Sequence, residues 1–260
     1  MQRRHLIELE DLEFWPQTFR DGCTEYLQTV LHYANPYQAM LPRIALAIQK
    51  CQATDVLDLC SGAGGPWLQL LPALQAAGCN VEVIFSDKFP NLVALERLAT
   101  LMTNTRTVSY PVDATDVPCT LSGFRTLFGG FHHLQPNDAQ RVLSSAVRDR
   151  QGIAVFELTN RSLRSLTRML LSPIGVWVLT PFVRPFRWSR LFWTYVIPVL
   201  PLAILFDGLV SCLRTYTPED LRKMVARVDC DSYQWDFGVE NVPGTTIPIT
   251  FLIGVPRVIS

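Results

Sequence analysis

A short apolar segment that runs into a glycine-rich turn limits what this chain can fold into more than any other feature. The segment TDVLDLC (residues 54–60) has the Val and Leu content of a strand buried on both faces. SGAGGPW follows as a tight turn, and PWLQLLPALQAA predicts a helix that ends at Gly78. A buried strand, a glycine turn and a helix in this order indicate an α/β protein.

The same alternation continues as far as residue 158. Further strands are predicted at 80–87, 106–113, 124–130 and 152–158, and helices at 90–102 and 136–150. Strands that alternate with helices predict a parallel sheet with helices on both faces. Such sheets bind ligands beyond the carboxyl ends of their strands, so we expect the binding site at that edge.

The two ends of the chain complete this architecture. Residues 1–50 are expected to be helical, with one helix from Pro16 to about His32 and a second that Asn35 caps and Pro36 opens. A helix that begins at Pro218 follows, with Thr217 as its cap and Asp220 at its third position. Residues 233–240 and 245–256 predict two strands that close the sheet as an antiparallel pair.

We therefore predict a doubly wound, mostly parallel, seven-stranded sheet. Its domain would cover residues 51–260, with an N-terminal helical lid over 1–50 and an apolar insertion at 161–213. The uncharged part of the insertion, residues 191–206, is shorter than the roughly 20 residues that span a bilayer and is interrupted by two prolines. We do not expect a membrane-spanning helix.

Charge and cysteine content argue against a nucleic-acid partner and against an oxidising compartment. Lys and Arg together number 23, as do Asp and Glu, so no net field attracts nucleic acid, and we expect none. The seven cysteines never form a C-x-x-C pair, which favours reduced thiols in the cytoplasm. The first 15 residues contain no apolar run typical of a signal peptide.

Three acids follow successive predicted strands. Asp58 lies inside the end of the first strand, Asp87 ends the second and Asp113 ends the third, while Gly62 and Gly64 shape the turn after the first. Glycines let the backbone approach a ligand, and a helix N-terminus offers N–H groups to an anionic one. Asp87 is placed to bind a ribose diol, and Asp113 to accept from a purine amine. The pattern indicates a site for an adenosine that carries a positive charge or an amine.

The segment VLDLCSGAGG resembles the first motif of the class I S-adenosylmethionine-dependent methyltransferases, apart from Cys60 and Ser61 where a glycine often stands. The resemblance covers about residues 50–160. It implies a Rossmann-like fold, S-adenosylmethionine as cofactor, and methyl transfer to a small-molecule acceptor. The cofactor-binding residues that it implies are Asp58, Cys60, Ser61, Gly62, Gly64, Asp87, Lys88, Asp113, Ala114 and Phe131. Among them, Asp58 and the glycine turn would hold the methionine end, Asp87 the ribose, and Asp113 with Ala114 the adenine.

Two other interpretations of the motif stay open. A nicotinamide or flavin oxidoreductase would need a small residue at the end of G-x-G-x-x-G, where this chain has Trp67. A non-catalytic protein could bind the same cofactor and serve as an interaction platform. Only a turnover measurement separates that protein from an enzyme.

The segment GGFHHLQP (residues 129–136) places His132 and His133 at the end of the fourth strand, which in the resembling family faces the sulfonium. Methyl transfer requires an acceptor atom held about 3 Å from the methyl group, and a hydroxyl or thiol acceptor must lose its proton. Histidine titrates near neutral pH, so we predict both as catalytic residues. In the alternative interpretation, one of the pair packs or hydrogen-bonds under the loop while the other lines the pocket. We expect no metal, because adjacent residues on an extended segment point apart and no further Cys or His is suitably spaced.

The acceptor side is predicted from residues of the N-terminal helices, the fifth-strand end and the insertion. These are Trp15, Arg20, Tyr26, Tyr33, Glu157, Asn160, Arg184 and Arg187. The insertion itself has three open interpretations: a lid that excludes water, a homodimer interface, or a surface on a membrane that suits a lipid or quinone-like acceptor. Its arginines are alternatively placed to bind an anionic acceptor.

Overall fold

The computed structural model describes residues 1–228, 231–245 and 247–257, and within them one seven-stranded sheet. The strands are β1 (Asp55–Leu59), β2 (Glu82–Ser86), β3 (Thr105–Thr107), β4 (Phe124–Phe128), β5 (Ile153–Glu157), β6 (Tyr233–Asn241) and β7 (Pro248–Pro256). Their order is β3-β2-β1-β4-β5-β7-β6. The first five run parallel, and β7 lies antiparallel between β5 and β6. The predicted doubly wound sheet is confirmed.

Helices cover both faces of the sheet. They are α1 (Gln17–Ala34), α2 (Leu41–Lys50), α3 (Trp67–Ala76), α4 (Leu92–Leu101), α5 (Pro136–Arg148), α6 (Leu163–Met169), α7 (Ser172–Leu179), α8 (Trp188–Leu191), α9 (Val199–Arg214) and α10 (Pro218–Val225). Side chains alternate along β1, so that Val56 packs with α2, α3 and α4 on one face and Leu57 packs with α5 and α10 on the other. Burial on both faces explains the continuous apolar run in this strand.

The third strand is shorter than predicted. It covers Thr105–Thr107, whereas the expected strand ran over 106–113. The pairing stops at Thr107, and further along the chain Pro111 has no N–H for the ladder and restricts the residue before it. Val112 N–H still donates to the Asp87 carbonyl at 2.8 Å, so the chain stays beside β2. Asp113 therefore lies in a loop, and its predicted position at a strand end is wrong.

The predicted cap at Asn35 is also wrong. Asn35 has φ of 41°, in the left-handed region, and ends α1 instead of starting the next helix. Asparagine is one of the few residues that adopt this conformation readily. A 3₁₀ turn over Pro36–Met40 follows, and α2 begins only at Leu41.

The C-terminal elements agree with their predicted order. Thr217 and Asp220 form a reciprocal capping box at the start of α10, with Pro218 in the first turn. The antiparallel pairing of β6 with β7 closes the sheet next to β5. One residue of the predicted last strand, 246, lies outside the described residues.

The insertion forms a helical layer beside α1. Val176 of α7 and Leu200 of α9 pack against Cys23 and Tyr26 of α1. The outer side of this layer exposes large apolar side chains, among them Trp177, Phe182, Trp188, Phe192, Leu202 and Phe206. No single helix in the described part of the chain is long and apolar enough to cross a membrane. The pair Trp188–Val196 and Val199–Arg214, bent by 76°, meets the length and composition requirement together.

Candidate active site at the carboxyl edge of the sheet

Asp58 is buried at the carboxyl end of β1, where β2 and β4 flank it. Its Oδ1 accepts from the Thr126 hydroxyl at 2.6 Å. The Ser61 hydroxyl donates to the Asp58 carbonyl at 2.9 Å and accepts from Ser86 N–H at 3.1 Å, which ties the turn to β2. Burial raises the pKa of Asp58 to about 6, although the Thr126 hydrogen bond opposes this.

The glycine turn contacts Asp87 directly. Gly62 has φ of 54° and donates its N–H to Asp87 Oδ2 at 2.7 Å, while Phe89 N–H donates to Oδ1 at 2.8 Å. At Gly64, where φ is 94°, a Cβ would lie 1.9 Å from Leu98 Cδ1. Both the backbone conformation and the lack of space require glycine there. The turn and the second acid, 25 residues apart, thus form one surface.

The remaining predicted cofactor residues lie around this surface. Cys60 touches the loop after β4, since a Cβ on Gly130 would lie 2.7 Å from Cys60 Cβ. Burial, and then the charges of Asp87, Asp58 and Asp113, raise the pKa of the Cys60 thiol, which places all three acids near it. Asp113 Oδ1 accepts from Thr115 N–H and hydroxyl at 2.8 and 2.7 Å. Ala114 and Phe131 are buried, whereas Lys88 is exposed.

The two histidines lie side by side, and the prediction that they point apart is wrong. Phe131–His133 form a 3₁₀ turn, so the rings of His132 and His133 lie 4.4 Å apart at 33°. His132 is buried, and its Nδ1 lies 2.7 Å from Glu157 Oε2. Its backbone N–H donates to Glu157 Oε1 at 3.0 Å. Glu157, predicted on the acceptor side, thus holds His132.

The N-terminal segment supplies two acids to the same cluster. Asp11 Oδ1 lies 2.7 Å from His133 Nδ1. Glu8 lies between the two rings, with its oxygens 3.7 Å from His132 Nε2 and 3.5 Å from His133 Nε2. The sequence analysis missed both acids. The one indication was the acidic run ELED within the first 15 residues, whose carboxylates need a positively charged partner if they are buried.

Arg214, the last residue of α9, completes the cluster and was also missed. Its side chain is fully buried. Nη1 lies 2.5 Å from Asp11 Oδ2 and 3.3 Å from Glu8 Oε1, and Nε and Nη2 donate to the carbonyls of His132 and His133. We call Glu8, Asp11, His132, His133, Glu157 and Arg214 the histidine cluster.

The charges of the histidine cluster are mutually dependent. Burial lowers the pKa of His132, but the carboxylates of Glu157 and Glu8 reverse this and raise it to about 10. Burial raises the pKa of Glu8, but the two imidazoles bring it down to about 2. With no ligand bound, His132 is therefore positively charged and Glu8 is negatively charged at neutral pH.

Glu10 lies between the histidine cluster and the cofactor side. Its side chain is partly buried. Loss of solvent around the carboxyl, followed by the charges of Asp207, Glu8 and Asp87, raises its pKa to about 8, against the opposing charge of His133. Its Oε1 has no hydrogen-bond partner among the described residues. Carboxyls with a strongly shifted pKa are enriched at functional sites, which makes Glu10 a candidate for contact with a ligand.

The N-terminal residues predicted on the acceptor side separate into two groups. Arg20 is buried and donates to the carbonyls of Glu10, Leu12 and Trp15, with its guanidinium 4.1 Å from the Phe89 ring. Arg20 therefore holds the N-terminal segment near Phe89 and Asp87. Trp15 packs on Phe19 of the same helix. Tyr26 packs against the insertion, and Tyr33 is 64% exposed on α1.

The predicted arginines of the insertion, and Asn160 just before it, make their described contacts outside the histidine cluster. Arg187 pairs with Glu25 at 3.1 Å and lies 3.7 Å from Asp21. Arg190 is buried and also pairs with Glu25, whereas Arg184 is exposed. Asn160 accepts from the Ser162 hydroxyl just before α6, and its buried Nδ2 has no hydrogen-bond partner among the described residues.

Comparison with solved structures identifies the fold at low sequence identity. The plantazolicin methyltransferase BpumL, solved with SAH, matches with a TM-score of 0.53 and 9% identity, over 93% of this chain and 96% of that one. Human N-acetylserotonin methyltransferase, solved with SAM, matches with a TM-score of 0.59 and 13% identity. That match covers 99% of this chain and 63% of the human one. The chain has the Rossmann-like fold of these two methyltransferases. No family model and no curated protein sequence matches the chain.

Proposed function

We propose that this protein transfers a methyl group from S-adenosylmethionine to a small-molecule acceptor by in-line displacement. The contact between the glycine turn and Asp87, beside the buried Asp58, is the observation that carries the proposal. Carboxylates suit the ammonium group and ribose diol of this cofactor, and the glycines give its polar parts access to the backbone. When bound, the cofactor supplies an electrophilic methyl group.

The histidine cluster lies on the acceptor side in this proposal. His133 is the better placed of the pair to meet an acceptor, because its side chain is 25% exposed and that of His132 only 6%. Asp11 orients the His133 ring through Nδ1, and the buried His132 holds the turn through Glu157. His133 thus positions the acceptor and receives or relays its proton. The solved human neighbour is named for a small acceptor, N-acetylserotonin, which supports this substrate class.

The test is calorimetric binding of S-adenosylmethionine. Asp87→Ala should weaken binding by more than about 100-fold, since it removes a charged acceptor for the ribose. Asp55→Ala, at the opposite end of the same sheet, is the matched control and should bind as the wild type does. Binding that survives Asp87→Ala would contradict the cofactor assignment.

Turnover then separates the remaining functions. Formation of S-adenosylhomocysteine with any acceptor in a broad panel supports the enzyme. Cofactor binding with no product from that panel favours the non-catalytic platform. Binding of a nicotinamide dinucleotide in place of S-adenosylmethionine favours the oxidoreductase.

A second candidate is methylation of a lipid or quinone-like acceptor at a membrane surface, which the exposed apolar side chains of the insertion favour. Trp188 is 78% exposed and lies in the bent helix pair together with Phe192 and Phe206. Aromatic residues with neighbouring arginines bind anionic bilayers from the cytoplasmic side. The protein should float with anionic liposomes, and Trp188→Ser should float less. A wild-type protein that stays in the soluble fraction as a dimer assigns this surface to a homodimer instead.

A further inference from the structure

We infer that His132, His133 and Glu8 form a binding site for one divalent metal ion of the zinc type. Their ligand atoms lie within 4.8 Å of one another, which leaves space for a single shared ion. The inference goes beyond the proposed methyl transfer and does not depend on it.

The distances inside the histidine cluster favour an ion over direct hydrogen bonds. His132 Nε2 and His133 Nε2 lie 3.7 and 3.5 Å from the two oxygens of Glu8. A charge-assisted N–H···O bond measures about 2.7–2.9 Å, so these separations are too long. Two ligands bound to zinc at about 2.0–2.1 Å in tetrahedral geometry lie about 3.3–3.4 Å apart. The separations are within a few tenths of an ångström of that value.

Both imidazoles already have, at Nδ1, the carboxylate partner that metal-binding histidines usually have. Each Nδ1 lies 2.7 Å from a carboxylate, Glu157 for His132 and Asp11 for His133. Hydrogen bonds at Nδ1 keep the proton on that nitrogen and leave the Nε2 lone pair for an ion. When an ion displaces the Nε2 protons, both lone pairs face the same carboxylate, that of Glu8.

Burial and charge point the same way. Glu8 is buried, its Oε1 has no hydrogen-bond partner among the described residues, and its nearest cation, Arg214, is 3.3 Å away. Arg214 is engaged more closely by Asp11 and by two backbone carbonyls. A buried oxygen without a hydrogen bond is costly, and a cation at this point would satisfy it.

The ligand set selects the kind of metal. Two imidazoles and one carboxylate suit zinc or a similar transition metal, and suit magnesium or calcium poorly. Three protein ligands leave one position open, and the partial exposure of His133 gives it a route to solvent. Water would fill that position. If the proposed methyl transfer is correct, the acceptor oxygen or sulfur can replace this water. His133 then receives the proton of the acceptor only in the form of the protein without the ion.

The experiment is a zinc titration of full-length protein after dialysis against a chelator, with a chromophoric competitor to report free zinc. We expect one ion per chain. Glu8→Gln and His133→Ala should each weaken binding by at least about 100-fold, and Asp11→Asn by about 10-fold to 100-fold through the lost outer partner. His32→Ala is the matched control, because His32 contacts Gln69 on another part of the surface.

Two further measurements keep the outcome decisive. Cobalt bound in place of zinc should give the visible absorption of a four-coordinate site, and Glu8→Gln should abolish it. Thermal unfolding of each variant shows whether the fold is retained. Zinc affinity that is equal in the wild type, Glu8→Gln and His133→Ala would overturn the inference. Binding of S-adenosylmethionine, measured on the same samples, reports separately on the proposed function.

Discussion

The two halves of the carboxyl edge are held together in different ways. At the β1–β2 end, backbone groups of the glycine turn meet a carboxylate only 25 residues away. At the β4–β5 end, the histidine turn is held by Asp11, 122 residues from His133, and by Arg214, itself 203 residues from Asp11. The first half is a local motif, whereas the second half exists only after the N-terminal segment and α9 have packed on the sheet. Mutations in the histidine half should therefore affect stability most, and mutations in the glycine-turn half should affect cofactor binding most.

The largest effect on stability is expected at the histidine cluster. Arg214→Met should lower the free energy of unfolding by about 3–5 kcal/mol, because it leaves buried carboxylates and carbonyls without their cation. Urea denaturation measures it, with Arg227→Met as the control on an exposed position of the same residue type. A loss below about 1 kcal/mol would show that the cluster resembles a surface ion pair in its contribution to stability.

A stability change of opposite sign is expected at the cofactor end. The pKa of Asp58 is raised from 3.8 to about 6 in the folded protein. This one carboxyl therefore costs the folded state nothing below about pH 4 and about 3 kcal/mol once the pH has risen through 6. Asp58→Asn cannot ionise, so it should be more stable than the wild type at pH 7 by about that amount, while binding the cofactor more weakly.

The measurement is urea denaturation of both proteins at several pH values. The difference between Asp58→Asn and the wild type should be small at pH 4 and should grow up to about pH 6. A difference that does not change with pH would mean that ionisation of the Asp58 carboxyl does not lower the free energy of unfolding.

The smallest of the three effects concerns turnover. His133→Asn should lower the rate of S-adenosylhomocysteine formation by about 100-fold, the lower range for a residue that handles a proton. The affinity for S-adenosylmethionine should stay unchanged, because every predicted cofactor residue except Phe131 lies outside the histidine turn. His32→Asn is the control. Equal loss of affinity and rate would show that the two halves are not independent.

The difference between the halves also explains what the sequence could predict. The order of strands and the positions of Asp58, Gly62 and Asp87 depend on local patterns of burial and turn chemistry, which are visible in a linear sequence. The third strand is shorter than predicted, because the apolar residues around Pro111 resemble a strand although a proline is disfavoured within a sheet. A short 3₁₀ turn at the histidines has no distinctive sequence signal, so their orientation was predicted wrongly.

Glu8, Asp11 and Arg214 were missed for a different reason. Their residue types are common on surfaces, and only long-range packing turns them into buried partners. One sequence signal was present: Asp207 and Arg214 interrupt the otherwise apolar helix α9. A charge in such a helix needs a partner, and the acidic N-terminal segment was the available candidate.

Arg214 and Asp207 have a consequence for exchange of molecules at the acceptor side. Asp207 accepts from the backbone N–H groups of Leu9 and Glu10 at 2.7 and 3.3 Å, and Arg3 donates to the carbonyls of Arg214 and Leu134. The same short segment thus covers the histidines and supplies two of their partners. A movement of this segment away from the sheet would therefore also remove Glu8 and Asp11 from the imidazoles. Exchange beneath the segment and assembly of the histidine cluster are coupled in this way through the bonds by which α9 holds the first eleven residues.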